Sequence, residues 1–213
     1  MKKFALIIFT LFFSLQSFAG AKNLRLIPKM AVALYLGIEN QVQLIGDKID
    51  LKDVVLDCND LVISEAKGNA QFIVLCKDKE RTEVKITIRS KAGKKLGKLK
   101  VIFIPIPNPQ ATVLGLKSGE ITKKQCDKAK KLKIEMVDFP FDIKVELVRF
   151  TMKMFVGGDI IEFRNKGEKF NGAMTKWLGK VKRGATITFD NIEVEMPNGE
   201  KRTIAPLVFN LVE

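Results

Sequence analysis

Few residues of this chain are of a type that could do acid–base, nucleophilic or metal chemistry. None of the 213 residues is a histidine, which excludes Ser-His-Asp and Cys-His catalytic arrangements and every zinc site that uses imidazole. The three cysteines, Cys58, Cys76 and Cys126, show no C-x-x-C spacing. Neither a thiolate metal site nor a thioredoxin-like redox motif is therefore indicated.

The remaining candidates for chemistry are a group of carboxylates and one glycine-rich loop. Asp138, Asp142 and Glu146 lie close in sequence, and their spacing predicts the solvated face of a strand. A paired-carboxylate hydrolase would need a cleft around them. Residues 157–159, Gly-Gly-Asp, match no phosphate-binding pattern and are typical of a hairpin turn. The sequence therefore predicts a non-enzymatic protein with no catalytic residue, no cofactor site and no metal site.

The amino terminus has the pattern of a secretory signal peptide. Lys2 and Lys3 form a basic start, residues 4–13 are almost wholly apolar, and Ala19-Gly20-Ala21 supplies a small-residue cleavage site. We expect cleavage after Ala21, with Ser17-Phe18-Ala19 as a second register. Because the apolar run is shorter than the roughly 20 residues of a spanning helix, the sequence predicts a periplasmic protein without a stable membrane span. An uncleaved membrane anchor is the alternative.

Export to an oxidising compartment leaves two interpretations of Cys58 and Cys76 open. They flank a predicted hairpin with its turn at residues 67–69. A disulfide closing this loop would contribute roughly 3 kcal/mol in the chain-entropy model. Alternatively, both are buried thiols, since free cysteine is among the most buried residue types.

The chain is strongly basic. It has 37 Lys and Arg against 24 Asp and Glu, and loss of Lys2 and Lys3 with the signal peptide lowers the net charge from +13 to +11. The densest basic groups are residues 91–100, 123–133 and 176–183. No aromatic-interleaved basic motif is present, so nucleic acid is not expected as a partner. A solvated basic surface or an acidic envelope partner accounts for the charge.

The elements that would position these residues fall into two domains. Pro105, Pro107 and Pro109 stand at alternate positions, and no central strand or helix can pass through them. Thr122 and Gln125 then form a T-x-x-Q capping box. We therefore expect a signal peptide at 1–21, one domain at 22–107, a stiff strap, and a second domain at 108–213.

The first of these domains is predicted to be all-β. Six or seven short apolar segments are separated by turns, and Val84, Ile86 and Ile88 alternate with polar residues. This regular spacing without helical patterns favours an immunoglobulin-like β-sandwich.

The second domain is predicted to be a β-rich α+β domain with two short helices. One helix covers 123–131 after Thr122, and the other begins at Asn171 and ends near Gly184. A long strand from Phe141 changes parity at Leu147-Val148, which predicts a β-bulge. Asn198-Gly199 predicts a hairpin before a strand over 203–211.

Several of these segments resemble one family. IPIPNPQATV followed by SGEITKKQ is similar to the junction between the two C-terminal periplasmic domains of the gliding-motility protein GldM and its relative PorM. Further segments follow in the family's order: residues 29–40, 138–152, 170–177, 182–184, 189–192, 197–199 and 206–209.

The resemblance implies a dimeric periplasmic protein of the gliding and type IX secretion apparatus, whose carboxy-terminal domain meets an outer-membrane-associated ring component. The sequence departs from the family in its cleavable signal, in the lack of the motor helix and first periplasmic domains, and in Gln41, where the family has proline. The resemblance therefore predicts an interaction module of the cell envelope, with a homodimer as one option. A secreted carbohydrate- or surface-binding β-sandwich is the alternative.

Overall fold

The computed structural model describes residues 22–212, and the predicted signal peptide and Ala21 lie outside the described residues. The chain divides into two compact units between Pro105 and Ile106, called unit 1 and unit 2 below. The boundary expected from the prolines lies two residues further along the chain. No helix of the described residues is long and apolar enough to cross a membrane.

Unit 1 consists of strands with a single 3₁₀ turn at Leu51–Asp53 within its described part. Its strands are β1 (Lys22–Pro28), β2 (Leu34–Tyr35), β3 (Asn40–Asp47), β4 (Val54–Asp57), β5 (Leu61–Glu65), β6 (Gln71–Cys76), β7 (Glu83–Ser90) and β8 (Lys95–Ile104).

These strands form the predicted sandwich. One sheet has the order β1-β3-β6-β5 and the other β2-β8-β7-β4. This is the strand order of an immunoglobulin domain, A-B-E-D against C-F-G, with β2 as a short additional strand parallel to β8. Alternation sets the core: Val84, Ile86 and Ile88 are at most 2% exposed, whereas the lysine between the first two is exposed. The prediction of an immunoglobulin-like fold is confirmed.

The hairpin between the two cysteines of unit 1 is present as β5 and β6. Leu61 pairs with Cys76 at its open end. Cys76 is buried and Cys58, which precedes the hairpin, is half-buried, and both thiols are free. The structure thus has the unbridged form of the two alternatives. Cys126 in unit 2 is also free and buried.

Unit 2 contains the remaining strands and both helices. These elements are β9 (Gln110–Thr112), β10 (Gly119–Ile121), α1 (Lys123–Lys128), β11 (Lys133–Glu135), β12 (Glu146–Val156), β13 (Asp159–Lys166), α2 (Gly172–Leu178), β14 (Thr186–Glu195), β15 (Lys201–Ile204) and β16 (Leu207–Leu211).

One large sheet organises unit 2. Its order is β10-β16-β14-β12-β13, with β15 paired to part of β14, while β9 and β11 form a separate ribbon. The core lies on one face of this sheet, where the rings of Phe150, Phe189 and Phe209 are at most 2% exposed. α2 packs on this face, because Trp177 lies 6.5 Å from Phe163 between ring centroids. Unit 2 is the expected β-rich α+β domain with two short helices.

Both helices begin where the sequence predicts. Thr122 and Gln125 form the complete capping box of α1, and the Asn171 side chain accepts a hydrogen bond from the Met174 backbone N–H at the start of α2. Both helices end earlier than predicted. α1 stops because Ala129 turns extended (ψ 117°), while α2 ends at Gly179, so Gly184 terminates no helix.

Two strand predictions are also corrected. The long strand begins at Glu146 instead of Phe141, because residues 141–145 pair with no neighbouring strand. The expected strand over 203–211 is two strands, β15 and β16, separated at Pro206, whose ring nitrogen carries no hydrogen to donate to the sheet.

The predicted β-bulge in the long strand is confirmed, and a second one lies opposite it. Leu147 pairs with Val194 and Arg149 with Glu193, so Val148 is an extra residue in β12. The next pair is Thr151 with Asp190. Between these two pairs β14 has one residue more than β12, so the second bulge lies in β14. The two bulges compensate, and each strand keeps its apolar side chains on the core face.

Candidate interaction surface

The six-stranded sheet of unit 2 has one packed face and one open face. Alternation along the strands places the phenylalanines and methionines of the core on the packed face. The opposite side, here called the open face, carries the following outward residues: Arg149, Thr151, Lys153 and Phe155 of β12; Ile160, Glu162, Arg164 and Lys166 of β13; Thr186, Thr188, Asp190 and Glu193 of β14; Val208 and Asn210 of β16.

The charges at the centre of the open face are paired across strands. Lys153 lies 2.7 Å from the carboxylate of Asp190. Arg149 donates from Nε and Nη2 to one carboxylate oxygen of Glu193, at 3.0 and 2.7 Å. The hydrogen bond to Asp190 raises the pKa of the Lys153 ammonium. Because ion pairs at a protein surface contribute little to stability, the main effect of these half-buried pairs is to fix the position of each charge on the sheet.

The double bulge opens a cleft in this face. Asn191 adopts a positive φ of 48° in β14, a conformation that Asn tolerates better than most residues. Around it lies a cleft of about 560 Å³ with Arg149, Arg164, Asn165 and Glu193 among its lining residues. The cleft therefore presents guanidinium groups beside carboxylate acceptors, a combination that suits a polar peptide or protein segment. The amide of Asn165 already donates to the backbone carbonyls of Lys166, Gly167 and Lys169.

An apolar pair stands at the hairpin end of the open face. Phe155 and Ile160 face each other across β12 and β13, and their side chains are 42% and 62% exposed. Between them, Gly157 and Gly158 make the turn with φ values of 62° and 94°, which only glycine adopts at little cost. Two large apolar side chains are thus presented in register at the end of a hairpin.

β13 is the edge of the sheet next to this pair. Within the described residues it is hydrogen-bonded only to β12, so one side of its backbone is unpaired. An unpaired edge is a template for adding another strand. Glu162, Arg164 and Lys166 alternate along it, and such charges discourage indiscriminate pairing. The edge is therefore open to a partner that matches its charges.

The carboxylates singled out in the sequence do not assemble into a reactive site. Asp138, Asp142 and Glu146 are exposed, and Glu146 lies 2.5 Å from Lys144, whose hydrogen bond lowers the pKa of that carboxyl. None of them lines the cleft of the open face. Among residues 22–212, no group of three or more His, Cys, Asp or Glu is placed to hold a metal ion.

Sequence reasoning missed Phe155 and Ile160 as surface residues. The glycine pair between them predicts a hairpin, and residues at matching positions on either side of such a turn become cross-strand partners. What the sequence does not show is that their face of the sheet is left uncovered, because this depends on helix α2 packing against the opposite side.

Comparison with protein families assigns the second half of the chain. Residues 107–212 match the family model of the GldM C-terminal domain. This range coincides closely with unit 2, which begins at Ile106. No curated protein matches the chain.

Solved structures resemble the chain only weakly. The fibronectin(III)-like modules of Clostridium thermocellum CbhA are 11% identical with a TM-score of 0.24, and the match covers 88% of this chain and 94% of that one. The titin Ig tandem domains A164-A165 are 12% identical with a TM-score of 0.23, covering 91% and 96%. TM-scores this low show no shared architecture with this chain.

Proposed function

Because unit 2 belongs to the family of GldM C-terminal domains, we propose that the chain is a non-enzymatic protein-interaction module of the cell envelope. It acts in the periplasm after export and binds a protein partner through the open face of unit 2. The partner expected from the family is a component of a gliding or type IX secretion complex, such as an outer-membrane-associated ring protein.

The observation that carries this proposal is the exposed pair Phe155 and Ile160 beside the unpaired edge of β13. Apolar and aromatic anchors next to paired charges and a polar cleft are the features of a protein-binding surface. Partner binding would bury the apolar pair, and it would extend the sheet at its one edge of eight residues.

Photo-crosslinking in cells tests the proposal. A benzoyl-phenylalanine probe replaces Phe155 in one strain and Val137 in the control, because these two side chains of unit 2 are equally exposed at 42% and 41%. We expect irradiation to join the Phe155 probe to an envelope protein and the Val137 probe to none. Crosslinks to cytoplasmic proteins alone, or no crosslink at either position, would contradict the proposal.

A second variant tests whether the partner binds at the apolar pair. Ile160→Arg places a charge on the exposed side of an edge strand, where it has little effect on folding. We expect it to abolish the Phe155 crosslink while Trp177 fluorescence remains that of the folded protein. A crosslink that survives this change would show that Ile160 does not contribute to partner binding, which would contradict the role given to the apolar pair.

A further inference from the structure

The two outer faces of the sandwich in unit 1 differ in charge. On the β2-β8-β7-β4 sheet, the outward positions of β4, β7 and β8 carry five cations and two acids, a set called the lysine face. The cations are Lys85, Arg89, Lys95, Lys98 and Lys100, and the acids are Asp57 and Glu83. On the other sheet, the described outward side chains include one cation, Arg25, and one acid, Asp47.

Three of the cations on the lysine face have no acidic partner. Arg89 lies 2.8 Å from Asp57, and Lys100 lies 2.5 Å from Glu83, which uses both acids. Lys85, Lys95 and Lys98 are exposed and take part in no salt bridge among the described residues. Lys91 and Lys94 in the β7–β8 turn are also exposed and extend the unneutralised charge beyond the strands.

The arrangement of these cations works against the stability of the sheet. Lys85 is directly opposite Lys100, and Arg89 is opposite Lys95. Like charges directly opposite each other on neighbouring strands are destabilising. A face that only needed to be soluble could intersperse acids, as the open face of unit 2 does. This concentration of charge is therefore explained by an anionic ligand.

The shape of the face and its apolar residues indicate the kind of ligand. β8 continues outward from Lys98 and Lys100 to Ile102 and Ile104, each 37% exposed. The unpaired cations are lysines, which act as point charges on flexible stems, and the only arginine of the face is already paired to Asp57. The face is an outward sheet surface that extends about 30 Å along the ten residues of β8. Lysines beside exposed isoleucines on a flat surface suit a bilayer with anionic headgroups.

We propose that the lysine face of unit 1 binds the surface of an anionic phospholipid membrane. Lys85, Lys95 and Lys98 neutralise headgroup phosphates, and Ile102 and Ile104 lie against the interface. This surface is independent of the open face of unit 2, so either proposal stands if the other fails.

Vesicle sedimentation with the full chain tests this inference. One set of vesicles contains equal parts of phosphatidylglycerol and phosphatidylcholine, and the other contains phosphatidylcholine alone. The second set measures binding that needs no anionic lipid. Any contribution of Lys2 and Lys3 is common to the two double variants described next, so it cancels in their comparison. We expect binding to the anionic vesicles that weakens steeply as sodium chloride is raised, because exposed charges are screened.

The deciding comparison is between two double variants that remove equal charge. Lys85→Gln with Lys98→Gln acts on the lysine face, whereas Arg25→Gln with Lys67→Gln acts on the other sheet and its hairpin turn. At about fivefold per lysine, the first variant should bind anionic vesicles roughly 25-fold more weakly. The control should lose at most a small part of its binding. Both variants should stay folded, because all four side chains are exposed.

Two results would overturn the inference. Equal losses in the two variants would show that binding follows net charge alone and not this face. Failure of the unmodified chain to bind anionic vesicles, together with lysine-dependent binding to polyglutamate, would assign the face to an acidic protein instead of a lipid.

Discussion

The three cysteines of the described residues lie in environments that differ in reactivity. Burial raises the pKa of the Cys76 and Cys126 thiols, and both are at most 1% exposed. Cys58 is half-buried at the edge of the unit 1 core. Since the thiolate is the reactive form, we expect Cys58 to be alkylated first in the folded protein.

Thiol titration with Ellman's reagent in denaturant, without reductant, checks the bonding state. We expect three thiols, because the structure has all three free. A count of one would mean that Cys58 and Cys76 are bridged after all.

The raised pKa values of Cys76 and Cys126 also determine the direction in which stability changes with pH. The unfolded thiols ionise first as pH rises past about 9, so the folded state loses stability toward alkaline pH.

Arg202 is the residue that fastens the start of unit 2 to its sheet. Its guanidinium donates to the Ile106 carbonyl oxygen at 2.6 Å and to Asn108 Oδ1 at 3.2 Å, and it pairs with Glu200 at 2.8 Å. Its side chain is only 14% exposed. Charged hydrogen bonds of this kind contribute about 1.5–3 kcal/mol, so Arg202→Ala should lower the free energy of unfolding by about that amount.

Trp177 is the only tryptophan of the chain, so its fluorescence during urea unfolding reports unit 2 alone. Arg164→Ala is the matched control, because Arg164 also pairs with a glutamate but its side chain is 86% exposed, and the loss should stay within about 0.5 kcal/mol. Equal effects of the two substitutions would contradict the role given to Arg202.

At the scale of elements, the bulge in β14 depends on one backbone conformation. Asn191 has a positive φ of 48°, and the left-handed region costs most residues about 1–2 kcal/mol. Asn191→Val should therefore destabilise unit 2 by about that amount, whereas Asn191→Gly should leave stability nearly unchanged. Urea unfolding followed by Trp177 fluorescence measures both, and equal destabilisation by Gly and Val would refute the backbone explanation.

The N-cap of α1 gives a second test at this scale. The Thr122 side chain accepts from the Gln125 backbone N–H at 3.3 Å, and the Gln125 side chain accepts from the Thr122 N–H at 2.8 Å. Thr122→Ala should cost about 1 kcal/mol, and Thr122→Ser should restore most of it. The same unfolding measurement distinguishes them, and no difference between Ala and Ser would exclude a capping role.

The sequence predicted helix starts and the first bulge correctly where residues close together in the chain determine them. The capping box, the Asn171 cap and the bulge at Val148 all follow from residues within one turn or one pleat. Residues 141–145 have strand-like alternation but no strand partner, since β12 pairs only from Glu146 onward. The second bulge was missed because it exists only relative to β12, and a single sequence does not show which strands are neighbours.

At the scale of the whole molecule, the positions of the charges indicate more about possible ligands than the net charge does. The net charge of +13 alone is compatible with a solvated surface. The structure collects unpaired lysines on one face of unit 1, while the central charges of the open face in unit 2 are paired. Composition could not predict this difference, because it depends on which strand positions face outward and which acids stand beside them.

Export is the property of the whole chain on which both proposals depend. Lys2 and Lys3, the apolar residues 4–13 and the Ala19-Gly20-Ala21 site together predict cleavage after Ala21. The mature protein should therefore begin at Lys22. Intact mass and amino-terminal sequencing of protein from the periplasmic fraction measure this directly.

Ala19→Arg with Ala21→Arg should block processing, because the cleavage site accepts only small residues. The uncleaved chain should then stay with the membrane fraction. A chain recovered from the cytoplasm with Met1 in place would remove the basis for an envelope role.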